Sequence, residues 1–201
     1  GLNVVALELE TQAILRCLLP MDEDEAAEIS GVLAIDLGAT LTNIVFFDRG
    51  AIRFTSSIQW GGDDLTQRLA HELAISPAEA VEEKAKTGVA VAGQEGGDVS
   101  SVLRAAVIDL GNRVARIVQE MTVQLGSDHR VKTILISGGG ASLEGIVEIF
   151  GSIFSGIPVQ LGNPWTNLNR EEQTKRISLS IKDAMHFTTA IGLALRPNDY
   201  I

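Results

Sequence analysis

This sequence is short of the features that would give its chemistry away at once. It has one cysteine in 201 residues, Cys17, so no disulfide can form within the chain and a reducing compartment is expected. Cys17 lies in an apolar helical stretch and reads as a core residue. His71, His129 and His186 are far apart, with neither His-x₃-His spacing nor cysteine partners, which argues against zinc. No serine elbow or Cys/His nucleophile pattern is present. Lysine and arginine never form a run, and 26 acidic against 16 basic side chains leave a net charge of −10, which repels nucleic acid and anionic lipid. No apolar run reaches the roughly 18 residues of a membrane span, and no basic-then-apolar leader opens the chain, so the default expectation is cytoplasmic. The chain starts at Gly1 without an initiator Met and moves straight into strand-like sequence, which suggests a piece of a longer protein.

What is present is ordinary globular material, 45% apolar and 21% charged, long enough to bury about 70% of its unfolded surface. Its organising stretch is 31–47, GVLAIDLGATLTNIVFF. Two apolar runs without alternation, Val32 to Ile35 and Ile44 to Phe47, read as strands covered on both faces and joined as a hairpin. Between them Asp36, Gly38, Thr40 and Thr42 recur at every second position, so an extended backbone would aim them the same way. Backbone N–H groups in such a turn can cradle phosphate, and a carboxylate beside them can hold Mg²⁺ through water. An ordinary hairpin with an Asp at its turn remains an alternative.

The rest of the chain fits around that hairpin. Residues 3–9 read as a strand, and 10–19 as a helix with Ala13, Ile14, Cys17 and Leu18 on one stripe, stopped by Pro20. The acidic stretch 21–30 reads as a solvated linker. Asp48-Arg49-Gly50 turns the chain into a third antiparallel strand, 51–59. Asp63 or Asp64 caps a helix to about Ala74, and Ser76 with Glu79 forms a capping box for a helix to Gly88. After a Gly-rich loop, 89–97, Asp98 caps a long helix, 99–125, with the stripe Leu103, Val107, Leu110, Val114, Ile117, Met121 and Leu125. A strand at 133–136, a glycine loop, a helix at about 143–154, a short strand at 159–161 and a last helix at 181–195 follow. This order gives an α/β fold, a mixed sheet flanked by helices, with 62–97 leaving it as a small inserted subdomain and 1–29 preceding the main domain, 30–201.

The second glycine stretch, ILISGGGASLEG (134–145), ends a strand at Ser137 and begins a helix near Ser142. Three consecutive glycines mark a place where side chains would collide with something, a flat nucleotide or neighbouring protein. Together, DLGATLTNI (36–44) and SGGGASLEG (137–145) resemble the second phosphate motif and the adenosine motif of the actin-like ATPase superfamily. Gly61 to Thr66 followed by Lys84 and Lys86 looks like the corresponding FtsA and PilM segment. QAILRCL (12–18) and AIGLAL (190–195) are similar to the two helices that connect the halves of that fold, with Ala190 and Gly192 allowing a close crossing. Within the superfamily the likeness is greatest to the type IV pilus PilM family, with FtsA the nearest alternative. The segment between Gly88 and Asp98 is too short for extra FtsA strands, and QLGNPWTNL (160–168) followed by GLALR (192–196) is PilM-like.

The resemblance implies a ribonuclease H-like, actin-type ATPase domain, the second half of the fold. It implies Mg·ATP as ligand, with Asp36 on water-bound Mg²⁺ and Gly38, Ala39, Thr40 and Thr42 about the phosphates. Gly138, Gly139, Gly140 and Ser142 would floor the adenosine, and Lys84 would reach the sugar or base. Gln12, at the start of a connecting helix, would position an attacking water, so weak ATPase activity is open for the full-length protein while the isolated half is expected to be inactive. The partner implied is the cytoplasmic tail of PilN, met mainly by the other half, at the pilus inner-membrane platform; self-association is open. Departures are Leu41, which lacks a hydroxyl, and Val81, which stands where an acid meets the ribose, with Glu83 as a possible substitute. A small-molecule kinase and a scaffold with an empty cleft are the readings of other classes.

Overall fold

The computed structural model describes residues 4, 6–89, 97–168 and 179–196. Among them five strands form one sheet in the order β3-β2-β1-β4-β5. Strands β1 (Val32–Leu37), β2 (Thr42–Asp48) and β3 (Ala51–Ile58) are an antiparallel meander, while β4 (Thr133–Ser137) joins β1 in parallel and β5 (Val159–Leu161) joins β4 in parallel. The α/β class and the mixed sheet are as the sequence predicts.

The missing alternation in β1 and β2 has its cause in two cores, one on each face. Leu33, Ile35, Leu37, Ile44, Phe46, Ile134 and Ile136 face a large cluster beneath α3 (Gly62–Glu72), α4 (Pro77–Lys86), α5 (Asp98–Leu125) and α6 (Ile146–Ile153). Val32, Ala34, Val45 and Leu135 face α1 (Glu10–Leu18), which buries Ile14, Leu15, Cys17 and Leu18 against them. Successive residues therefore serve opposite cores, and neither face can be polar. Leu65, Leu69 and Ala80 of the 62–97 segment belong to the larger core.

The N-caps of α3 and α5 are Gly61 and Gly97 rather than the expected Asp63 or Asp64 and Asp98, whereas the start of α4 is as read. Ser76 Oγ accepts from the Glu79 N–H, and the Glu79 carboxylate accepts from the Ser76 N–H, so the capping box forms as read. Leu103, Val107, Leu110, Val114 and Met121 of α5 are fully buried. Cys17 is core, and burial first, then the Asp36 charge, pushes its thiol up to about 12.

Four further expectations are corrected. Val4 and Ala6 to Leu9 form no strand, because no strand among the described residues pairs with them. The acidic stretch is not a bare linker: α2 (Glu23–Glu28) starts where Asp22 Oδ1 accepts from the N–H groups of Asp24 and Glu25, and acids favour a helix N-terminus. The helix after the triple glycine begins only at Ile146, since Gly139–Ser142 forms a 3-10 turn and Gly145 is left-handed at φ 86°. The last helix is broken into α7 (Ile181–Ala184), a 3-10 turn Met185–Phe187 and α8 (Thr188–Ala194). Most of the 89–97 loop lies outside the described residues.

Candidate functional site

The C-terminal ends of β1 and β4 are neighbours, and both chains turn there through glycine. At the first turn the Gly38 N–H donates to the Leu41 carbonyl, while the Gly38 and Ala39 carbonyls accept from the N–H groups of Gly62 and Asp63 at 3.0 and 2.8 Å. The first donors of α3 are thereby satisfied by the turn. The N–H groups of Ala39 and Thr40 have no protein acceptor among the described residues, the arrangement that anion-binding turns use.

At the second turn the glycines are required by the protein itself. Gly138 has φ 82°, and a Cβ there would stand 2.6 Å from the Leu37 carbonyl oxygen. A Cβ on Gly140 would meet Leu37 Cβ at 2.7 Å, and one on Gly139 would meet His186 Nδ1 at 2.8 Å. Ser142, which closes this group, donates to the Gly139 carbonyl and fixes the 3-10 turn.

Between the turns opens a cleft of about 800 Å³. Gly38, Ala39 and Asp63 stand on one side, Gly139, Gly140, Ser142 and Glu144 on the other, and Val81 and Lys84 of α4 at the back. The exit from α4 is tied to the second turn, because the Val89 N–H donates to the Glu144 carbonyl at 2.7 Å. Lys84 is anchored rather than free: its ammonium donates to the Gly62 carbonyl and to Thr66 Oγ1, each at 2.7 Å. Burial holds its pKa below the usual lysine value, with Asp63 opposing. Val81 is 52% exposed into the cleft, whereas Glu83 stands outside the lining, 4.0 Å from Lys86.

Asp36 sits just around the corner, in a smaller chamber of about 340 Å³ shared with Glu10, Gly138, Gly139, His186 and Thr189. Its register partners are Asn43 on β2 and Ser137 on β4. Ser137 Oγ donates to Asp36 Oδ1 at 2.8 Å, and the residue is only 6% exposed. Burial pushes the carboxyl up to about 6; the Ser137 hydrogen bond opposes this and the Glu10 charge adds to it. Glu10 is held by Asn43 Nδ2 and Thr189 Oγ1.

Two facing carboxylates, with no lysine or arginine in the chamber, suit a divalent cation. Among the described residues no group of three or more His, Cys, Asp or Glu is arranged to hold a metal ion directly. The donor set thus fits Mg²⁺ that keeps most of its water, with Asp36 and Glu10 as the holding residues.

The structure brings together Asp36, Gly38, Ala39, Lys84, Gly138, Gly139, Gly140 and Ser142 around the cleft and its chamber. Three residues fall elsewhere. Thr42 opposes Leu37, so it lies on the face away from Asp36; it is fully buried and its hydroxyl donates to the Trp60 carbonyl. The alternation ends because the chain turns between Gly38 and Leu41. Thr40 is exposed at the tip of that turn and does not line the cleft. Gln12 lines a separate hollow with Glu8, Arg16 and Phe47. Two residues along a helix are about 200° around it, so when Glu10 faces Asp36, Gln12 faces away. Glu10 and His186 are the residues that sequence reading missed, since neither belongs to a glycine motif.

A family model described as "Cell division protein FtsA" matches residues 33–192. The FtsA of Neisseria meningitidis serogroup B is 32% identical over 219 residues, covering 96% of this chain and 48% of that protein. The FtsA of Pseudomonas aeruginosa is 30% identical over 183 residues, covering 83% and 43%. This chain therefore spans about half the length of the curated relatives it matches. Among solved structures, the PilM–PilN type IV pilus biogenesis complex matches with a TM-score of 0.74 at 22% identity, covering 96% of this chain and 52% of that one. MreB5 of Spiroplasma citri bound to ADP matches at 0.64 and 17% identity, covering 96% and 60%. At such identities the structures establish a shared fold, the actin-like one, and the family model covers most of the chain. By that match the chain belongs to the FtsA family, on the FtsA/PilM branch of actin-like proteins.

Proposed function

We propose that this chain supplies one wall of the nucleotide cleft of an actin-like assembly protein that binds Mg·ATP. The observation that carries the reading is the meeting of two glycine turns, about a hundred residues apart in sequence, at one cleft, with the buried Asp36 carboxylate beside it. Ala39 offers its N–H group to phosphate, the 138–140 backbone floors the nucleoside, and Lys84 braces the back of the cleft. Asp36 and Glu10 hold the metal's water. Magnesium, when bound, neutralises phosphate charge.

Calorimetry on the full-length protein tests this. Wild type is expected to bind Mg·ATP, and Asp36→Ala to lose about tenfold or more in affinity by removing a charge-assisted contact. Equal affinities would remove Asp36 from the site. Where the full-length protein hydrolyses ATP, Gln12→Ala is expected to leave turnover unchanged and Glu10→Ala to lower it.

The finer reading is a cytoplasmic pilus-assembly protein, peripheral at the inner membrane, that recruits the PilN tail. The short 89–97 connection and the likeness of fold to a PilM–PilN complex support it. The names of the sequence relatives favour a division protein instead. A pull-down of full-length protein with the PilN tail, set beside the deletion phenotype, separates them: lost pili with normal division supports the first, filamentous cells with normal pili the second. Phosphoryl transfer to a sugar panel would favour a kinase.

A further inference from the structure

Among the described residues His186 is the one titratable side chain that borders both the cleft and the Asp36 chamber, and Gly139 is the backbone it meets there. The imidazole stands where a side chain at residue 139 would go, Nδ1 lying 2.8 Å from the position of a Gly139 Cβ. The two cavities thus meet at a gate made of a glycine and a histidine. In the pose proposed above, a nucleotide with its base against α4 and its metal-bound end near Asp36 and Glu10 would cross there through its phosphate chain.

We propose that His186 is a positioning residue that reads the phosphate chain at this gate, so that the site takes nucleotides in preference to nucleosides. This rests on the nucleotide reading above. An imidazole N–H donates well to a phosphate oxygen, better when protonated. The charged groups around it are Lys182 and Asp183 on α7, Glu144 beyond the second turn, Lys84 and Lys86 on α4, Asp63 on α3, Glu10 on α1 and Asp36 on β1. Opposite signs are mixed on the cleft side and only carboxylates stand on the chamber side. Among the described residues the imidazole is the titratable side chain common to both sides of the crossing.

Calorimetry of the full-length protein with ADP and with adenosine, in EDTA so that the metal site is silent, tests the proposal. His186→Ala is expected to weaken ADP about tenfold, the size of one charge-assisted hydrogen bond, and to leave adenosine unchanged. Gly139→Ala serves as a second variant: its methyl displaces a movable ring rather than backbone, so the fold survives and the same ADP loss appears. His186→Gln, which keeps an N–H donor, is expected to retain most of the ADP affinity. An unchanged ADP affinity in His186→Ala, a His186→Gln variant as weak as His186→Ala, or adenosine weakened as much as ADP overturns the proposal. If wild type binds ADP and adenosine equally, only the gate falls; if it binds neither, and Mg·ATP added without EDTA does not bind either, the nucleotide reading falls with it.

Discussion

Burial, partly offset by the Ser137 hydroxyl and reinforced by the Glu10 charge, keeps the Asp36 carboxyl at about 6 rather than 3.8. The folded protein then holds that proton more tightly than the unfolded chain, so the contribution to stability is full below pH 3.8 and lost as the pH rises through about 6. At pH 8 the ionised group costs on the order of 2–3 kcal/mol. Asp36→Asn, which keeps an acceptor for Ser137, is expected to raise the melting temperature at pH 8 and to change it little at pH 4. A variant no more stable at pH 8 would mean that the carboxylate is already compensated. The residue itself was legible, because a lone acid between an apolar strand and a glycine turn is a local pattern. Glu10 was not, because its pairing with Asp36 depends on how α1 is rotated over the sheet, and Gln12 two residues on carried the family likeness. The three glycines at 138–140 were legible as a collision site, but what a side chain there would meet is Leu37 and His186 rather than a nucleotide.

At the level of elements, α1 and α8 approach each other most tightly at Gly192. A Cβ on Gly192 would lie 1.8 Å from the Ala13 carbonyl oxygen, a clash with backbone that no rotamer relieves. Gly192→Ala is expected to cost about 2–3 kcal/mol or more, as overpacking does, read as a lowered urea midpoint. Ala190, the other small residue of that pair, borders the Asp36 chamber instead. The paired small residues were visible in the sequence; which of them touches the other helix was not, since that needs the crossing point. Gly111 of α5 makes room for the tip of the Ile153 side chain of α6 and gave no signal of its own within a long helical pattern. Element starts set by side-chain capping were read correctly at Ser76, while α2 was missed because it has no apolar stripe to reveal its period.

Across the whole molecule, chemistry and anchoring sit at opposite ends of the sheet. Far from the cleft, Asp48 accepts from the Gly31 N–H at 2.9 Å and pairs with His129 Nδ1 at 2.7 Å, joining the start of β1, the end of β2 and the loop before β4. Burial raises the Asp48 pKa, but the bonds from His129, Gly31 and Ser30 and the Arg49 charge outweigh it and hold the carboxyl below its usual value. Its contribution is therefore present above about pH 4 and lost as the pH falls through the folded value. Asp48→Ala should cost about 1–3 kcal/mol at pH 7 by leaving buried donors unmatched, flatten the acid limb of the stability curve, and leave Mg·ATP affinity unchanged. A fall in affinity would mean that the two ends of the sheet are coupled. The Gly38 and Ala39 carbonyls grip the first turn of α3, and Lys84 grips that same turn from α4. A ligand that draws the 38–40 loop inward must pull this strap along, so a fluorophore on the outer side of α4, at Glu82, would register occupancy of a pocket it never touches.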